Sequence, residues 1–506
     1  MNAPVRARRR LVAGVAAGLL LPWIAPRAQP RRDVDLFTLG VASGWPRPDG
    51  VVLWTRLAGA AGEDVVGDAP VDVQWELAED QAFRTVAARG TERATAEDAH
   101  SVHAEVRGLQ PARDYFYRFT ALGARSRTGR TRTAPAAGSN APLRFAFASC
   151  QQYEQGHYAA YRDMAQQPLD FVLHLGDYIY ESSWGVRRVR RHEGGIPTQL
   201  AEFRERYALY KRDPHLQAAH ARFPWLVTWD DHEVANDYTG DRSPRTFDRA
   251  QFAAVRAGAY QAWWEHMPVP KALRPKDGAT AIHAQHRMGP LDVLVLDGRQ
   301  YRSPHACLPG RSAAPLVDCA GRNDPSRSFL GVAQEAWLEE RLRSPAPGWT
   351  LLAQPTLLAA ANRGTADKPG YWMDGWDGYA AARERLLQAL ARHRPRNVLV
   401  ASGDVHAFWA ADVRPAGSDA IVATEFVGGA ITSEGPSEDS VKRMLALNPH
   451  LRYGDAAHRG YAMASLGAHR CEVEFRAVDD IADAASPVRT LKRFAVADGR
   501  AGVQLA

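Results

Sequence analysis

The stretch Phe171-Val172-Leu173-His174-Leu175-Gly176-Asp177-Tyr178-Ile179-Tyr180-Glu181 decides how this chain is read. Its first five residues are a short, nearly continuous apolar run, the pattern of a buried strand. Gly176 lets the chain turn sharply, so that the Asp177 carboxylate projects beyond the sheet while Tyr180 folds back over the same point. An acid three residues before a tyrosine, at a strand's carboxyl end, is a metal-ligand spacing, and oxygen donors of this kind suit a hard, highly charged cation. Taken alone, a Gly-Asp turn after a strand is most often only a turn.

Three further strand ends carry side chains of the same chemistry. Phe145-Ala146-Phe147-Ala148-Ser149-Cys150 delivers a single cysteine at its tip. Trp225-Leu226-Val227-Thr228-Trp229 runs straight into Asp230-Asp231-His232-Glu233. Asn397-Val398-Leu399-Val400-Ala401-Ser402-Gly403 leads to Asp404-Val405-His406, whose alternation lets Asp404 and His406 point to one side of an extended backbone. Burying so many acids and imidazoles is costly unless each charge is paired, and a metal centre offsets that cost.

The ordered set Cys150, Gly-Asp-x-x-Tyr, Asp-Asp-His-Glu and Gly-Asp-x-His resembles the calcineurin-like metallophosphoesterase superfamily, and within it the PhoD-like alkaline phosphatases. The wider superfamily has Asp-x-His at the first strand, Gly-Asn-His-Glu or Gly-Asn-His-Asp third, and Gly-His-x-His last. The departures here look like the PhoD-like branch. The resemblance implies Fe3+ together with one or two Ca2+, with Asp177 bridging, Tyr180 and His406 on iron, and Cys150 at the first-strand position. Asp231 falls where the superfamily has its asparagine ligand and Asp404 where it has a histidine, so carboxylates replace softer donors at the second metal, consistent with Ca2+. Asn236 is a further oxygen donor. Which of Asp230 and Asp231 binds metal stays open, and Gln354 stands roughly where another histidine ligand is expected.

From such a centre the resemblance implies phosphohydrolysis of phosphomonoesters, phosphodiesters or both, with water or hydroxide on iron as nucleophile. His232 would donate to a phosphoryl oxygen or protonate the leaving group. Arg299 is a candidate phosphate clamp, since guanidinium binds such oxygens bidentately; the alternative for Arg299 and Arg302 is surface salt-bridging. Two other functional readings stand beside the enzyme: a phospholipid-headgroup phosphodiesterase, and a noncatalytic protein that holds a phosphate-bearing polymer.

Composition bounds the rest. With 506 residues, 45% of them apolar, the chain holds two or three folded units. The net charge is +6, but Arg6, Arg8, Arg9, Arg10 and Arg27 lie in an acid-free leader; without them 58 basic residues face 57 acidic ones, which gives no case for nucleic-acid binding. Residues 1–28 read as a twin-arginine-type export signal, with a mildly apolar stretch, Leu11 to Leu21, too short for a comfortable membrane span; the alternative is a retained anchor. The implied partners are the twin-arginine machinery and a phosphate ester, and the implied location is periplasmic or secreted. In that oxidising setting Cys307 and Cys319 can pair across their short loop, worth about 3 kcal/mol, whereas Cys471 is structural.

The region 33–136 alternates in short strands, as in Val71-Asp72-Val73-Gln74-Trp75-Glu76-Leu77, and predicts an antiparallel sandwich; its Leu-x-Pro then Tyr-x-Tyr pattern resembles a fibronectin type III domain. After a linker, residues 141–480 interleave strands with helical segments at 158–166, 199–210, 252–266, 332–343 and 378–393. The expected architecture is α/β: a two-sheet sandwich flanked by helices, the site at the strands' carboxyl ends, preceded by the small all-β domain, with 481–506 as a tail. The stretch 182–195, with Trp184 and a run of arginines, and the stretch 362–378, with Tyr371, Trp372 and Trp376, are expected as loops walling the site.

Overall fold

In the computed structural model the described residues are 35–243, 248–307, 316–344, 348–467 and 469–506. Residues 1–28, read in sequence as an export signal, lie outside them. Two sheets pack face to face. A ten-stranded sheet runs, from edge to edge, Arg500–Leu505, Val488–Ala497, Arg470–Val478, Arg459–Leu466, Leu143–Ala148, Phe171–Leu175, Pro224–Thr228, Val41–Arg47, Gly50–Arg56 and Ser101–Arg107. A seven-stranded sheet runs Ala284–Met288, Leu291–Val295, Trp349–Ala353, Val398–Ser402, Ala423–Gly428, Phe408–Val413 and Leu451–Asp455. Phe145, Phe147, Leu173 and Leu226 from the first sheet meet Val293, Leu351, Leu399 and Phe426 from the second in one buried layer. Helices cover both outer faces, Leu200–Lys211 and Arg249–His266 on the first and Val332–Arg343 and Ala380–His393 on the second. The central strands are buried on both faces, which is why they read as continuous apolar runs rather than alternating ones.

The N-terminal all-β region is a sandwich of unusual construction. One layer is the sheet of Val71–Ala78, Val86–Ala94 and Asp114–Ala121; the other is formed by Val41–Arg47, Gly50–Arg56 and Ser101–Arg107, which also belong to the ten-stranded sheet. Leu53, Val73, Val102, Tyr117 and Phe119 fill the space between them. Val41–Arg47 pairs in parallel with Pro224–Thr228, Ser43 opposite Pro224, so hydrogen bonds carry one region into the other.

The far end of the chain corrects an expectation. Residues 481–506 are no tail: Val488–Ala497 and Arg500–Leu505 are the last two strands of the large sheet, and Phe494 and Val496 enter its core. The register with Arg470–Val478 shifts at Phe475/Arg476, and a shift of this kind breaks the period-two pattern that marks a strand in sequence. Cys307 and Cys319 form a disulfide, their Cα atoms 6.5 Å apart, while Cys150 and Cys471 are buried free thiols. Among the described residues no helix is long and apolar enough to cross a membrane.

Candidate metal centre

Three adjacent parallel strands, Leu143–Ala148, Phe171–Leu175 and Pro224–Thr228, end at the same edge. They set Cys150, Asp177 and the run Asp230 to Glu233 side by side. Val398–Ser402 in the facing sheet brings Asp404 and His406 to the same place. The backbone there is bent hard: Cys150, Asp177, Asp404 and His406 all take the left-handed conformation, with φ of 59°, 57°, 63° and 50°. Each such non-glycine residue costs about 1–2 kcal/mol, and their concentration at one point marks a functional site. Gly176 is required beside them, because at its φ of 98° an added Cβ would stand 2.5 Å from the Cβ of Asp230.

Ligand atoms of Cys150, Asp177 and His406 lie within 4.8 Å of one another, as do those of Asp230, Asp231 and Asp404, and Asp177 also joins Asp231 and His232. The Tyr180 hydroxyl is 2.9 Å from Asp177 Oδ2 and 3.1 Å from His406 Nε2. His406 Nδ1–H donates to the carbonyl of Glu434 at 2.7 Å, which leaves the Nε2 lone pair for the site, the usual tautomer of a ligating imidazole. Four carboxylate oxygens, Asp177 Oδ1, Asp230 Oδ2, Asp231 Oδ1 and Asp404 Oδ2, are buried and make no hydrogen bond. Burial raises the Asp404 carboxyl to about 8 against the pull of Arg299. These groups fit cations: buried carboxylate oxygens without a hydrogen bond, of which Asp231 Oδ1 has only the Arg299 guanidinium at 3.4 Å, otherwise cost unmet solvation.

His232 is braced from behind by Glu181, whose Oε2 accepts from Nδ1 at 2.6 Å. Burial opposes its charge, but Glu181, Asp231 and Asp177 together lift His232 well above the ordinary histidine range. Asn236 is half-buried and lines a cavity of about 270 Å3 with Trp184, Asp231, His232, Asp404 and His406. The long stretches 182–195 and 362–378 do reach this cavity, through Trp184 and through Arg363 and Trp372.

Arg299 stands elsewhere than a phosphate clamp would. It is fully buried, donates from Nε to Asp230 Oδ1, lies 2.8 Å from Asp374 Oδ2 and 3.4 Å from Asp231 Oδ1, and so braces the carboxylates from behind. Nor do Arg299 and Arg302 bridge charges on the surface: Arg302 is buried and also pairs with Asp374, which His305 contacts at 2.6 Å. Asp374 comes from the loop 362–378 and had no sequence signal of its own. Gln354 is turned into hydrogen bonds with Ser402 Oγ and Trp376 Nε1, at 2.7 and 3.1 Å. Glu233 has the part that sequence reading left unassigned: its two oxygens accept the backbone N–H groups of Asp177, Tyr178 and Asp230 at 3.1, 2.7 and 2.9 Å. It ties two ligand-bearing turns together, and its place in the run Asp-Asp-His-Glu was the available clue.

Two sheets packed face to face, with acids, an imidazole, a phenol and a thiol gathered at their carboxyl ends, define a metallophosphoesterase. The profile of PhoD-like phosphatases matches residues 145–475, and that of the PhoD-like N-terminal domain matches 24–135. Alkaline phosphatase D of Bacillus subtilis (strain 168) is 40% identical, the alignment covering 97% of this chain and 87% of that protein. A solved structure of PhoD superposes with a TM-score of 0.90 at 39% identity, over 94% of this chain and 93% of that one. Purple acid phosphatase PPD1 from yellow lupin (Lupinus luteus) seeds shares the fold, with a TM-score of 0.59 at 11% identity over 90% of this chain and 74% of that one. The chain belongs to the PhoD-like phosphatase family and is a metal-binding phosphohydrolase.

Proposed function

We propose that this phosphohydrolase is exported and cleaves phosphomonoesters, phosphodiesters or both, with Fe3+ held by Cys150, Asp177, Tyr180 and His406 and with one or two Ca2+ held by Asp177, Asp230, Asp231, Asn236 and Asp404. The observation that carries the reading is the set of four buried carboxylate oxygens without a hydrogen bond, facing a thiol, a phenol and an imidazole nitrogen. The mixed sulfur, oxygen and nitrogen set favours iron, and the oxygen-only set favours calcium. Asp177 belongs to the groups with Cys150 and His406 and with Asp231 and His232, and would be the carboxylate shared between the two cations. Bound there, the cations supply an activated water and neutralise charge on the phosphoryl oxygens.

The chain's own residues do the remaining work. A ring nitrogen of His232 lies within 4.8 Å of carboxylate oxygens of Asp177 and Asp231, at the floor of the cavity, and Glu181 keeps the imidazole protonated and oriented. It is therefore placed to hydrogen-bond a phosphoryl oxygen and to give its proton to the departing alkoxide. Trp184, stacked on His406 at a 9° interplanar angle, fixes that ring and shields it from water. The export reading rests on residues 1–28, where Arg8-Arg9-Arg10 precedes the apolar stretch Leu11 to Leu21.

Elemental analysis of protein made through its native export route should find iron and calcium, and the loaded protein should hydrolyse 4-nitrophenyl phosphate. A fully active enzyme holding zinc alone would overturn the metal assignment. Loss of the leader's arginine pair without loss of export would overturn the route.

A further inference from the structure

The loop that begins at Asn362 is rigidly built. Asn362 Oδ1 accepts the N–H groups of Gly364 and Gly370 at 2.9 and 3.0 Å, and the Arg363 N–H donates to the Gly370 carbonyl at 2.8 Å. Asn448, just past the helix Glu438–Leu447, clamps Asn362 from outside, accepting its N–H at 2.8 Å and donating to its carbonyl at 2.9 Å. Arg363 is thereby fixed, with its guanidinium 4.8 Å from the centre of the Trp372 ring. What this arginine lacks is an anion. Arg299 and Arg302 nearby are paired with carboxylates, but Arg363 forms no ion pair and no side-chain hydrogen bond with any described residue, and its buried Nε is unpartnered. Asp377 and Asp404 act on it only from a distance, Asp377 being engaged by Arg383 and by the N–H of Ala361.

Arg363 also stands at a junction. Together with Val405 it lines the catalytic cavity and a second cavity of about 150 Å3 whose other walls are Leu316, Trp409, Pro436 and Met444, with Ser440 and Arg443 as its further polar members. A space of about 150 Å3 with mainly apolar walls is the scale that accepts a benzene ring. A guanidinium between a phosphate-ester site and a chamber walled largely by Leu316, Val405, Trp409, Pro436 and Met444 has one natural reading, since it offers two parallel donors to phosphoryl oxygens.

We propose that the second cavity is a subsite for an aryl or short alkyl group on the ester, and that Arg363 at its mouth binds the phosphoryl oxygens. The proposal rests on the phosphohydrolase reading and assigns that site a substrate class: phosphate esters carrying an apolar substituent of about one ring.

Competitive inhibition of 4-nitrophenyl phosphate hydrolysis by methylphosphonate and by benzylphosphonate tests it. In the wild type benzylphosphonate should bind about tenfold more tightly, from burial of the ring. Ser440→Trp, which places an indole in the second cavity from the half-buried face of the 438–447 helix, should bring the ratio of the two inhibition constants close to one. Arg363→Ala should weaken both phosphonates alike, by about tenfold or more, with partial recovery in Arg363→Lys and on addition of guanidinium ion, a rescue that a merely structural arginine would not show. Equal binding of the two phosphonates by the wild type, an unchanged ratio in Ser440→Trp, or undiminished phosphonate binding in Arg363→Ala would each overturn the proposal. Failure of the wild type to turn over 4-nitrophenyl phosphate would instead overturn the phosphohydrolase reading beneath it.

Discussion

Substitution of Glu233 tests whether the site is held together from behind. Its carboxyl group accepts from three buried backbone N–H groups, those of Asp177 and Asp230 on Oε2 and that of Tyr178 on Oε1. Burial and the neighbouring Asp177 raise the Glu233 carboxyl to about 8, so its bonds are those of a largely neutral acceptor, about 0.5–1.5 kcal/mol each, and a buried donor left without a partner costs about 1–3 kcal/mol. Glu233→Gln keeps one acceptor oxygen; placed at Oε2 it preserves two bonds and sets an N–H2 group against the Tyr178 N–H. The expected loss is about 2–3 kcal/mol for Gln, and about 3–5 kcal/mol for Ala, which leaves all three donors bare. Because those donors belong to the residues that carry the ligands, the turns should shift as well as loosen. A displacement on the order of 1 Å at reacting groups costs about 100-fold in rate. Chemical denaturation, metal content per chain and kcat for 4-nitrophenyl phosphate measure the three consequences together. A Glu233→Gln protein with wild-type stability, metal content and turnover would refute the clamp. A stable variant that loses activity with its metals retained would place Glu233 in the chemistry instead.

Two further outcomes are expected. Ferric iron held by a phenolate and a thiolate absorbs visible light through ligand-to-metal charge transfer, so the loaded protein should be coloured; Tyr180→Phe and Cys150→Ser should each change that band, and a spectrum indifferent to both removes these residues from the iron. Glu425, behind the site, accepts the N–H groups of Leu358 and Ala359 at 2.7 and 2.8 Å, and burial raises its carboxyl from 4.5 to about 7. Its folded pKa is the higher one, so its contribution to stability is complete below about pH 4.5 and is lost as pH rises through about 7. Melting temperature followed from pH 4.5 to 8 should fall less steeply in Glu425→Gln than in the wild type, and identical slopes would contradict this assignment.

The parts of the centre that were legible in sequence are those delivered by strands. Apolar runs ending in Cys150, Asp177, Asp230 and Asp404 announce both the strand and the residue at its tip, because a strand buried on both faces has few polar positions of its own. Arg299 was visible as a residue but not as a role: its partner Asp374 lies in a loop without periodicity, and only the folded chain brings the two together. Glu233 was read as part of a motif, yet what it does is set by backbone N–H groups that no sequence displays. The strands Val488–Ala497 and Arg500–Leu505 escaped because the first carries Arg489, Lys492 and Arg493 along a partly exposed edge, where alternation is weak.

The strands of the large sheet that carry the ligands are flanked on one side by strands from the N-terminal region and on the other by strands from the C-terminal end, and this governs when the centre comes into being. The strand bearing Cys150 has the 459–466 strand as its neighbour on one side, and the strand leading to Asp230 has the 41–47 strand on one of its sides. During synthesis the N-terminal neighbour is waiting early, but the C-terminal one, and with it the His406 side of the site, emerges only near the end. Until then the edge beside Cys150 is open and its thiol lacks the setting that keeps it buried. The binding centre thus becomes a late product of folding, and a chain cut short even in its last fifty residues should be unable to make it.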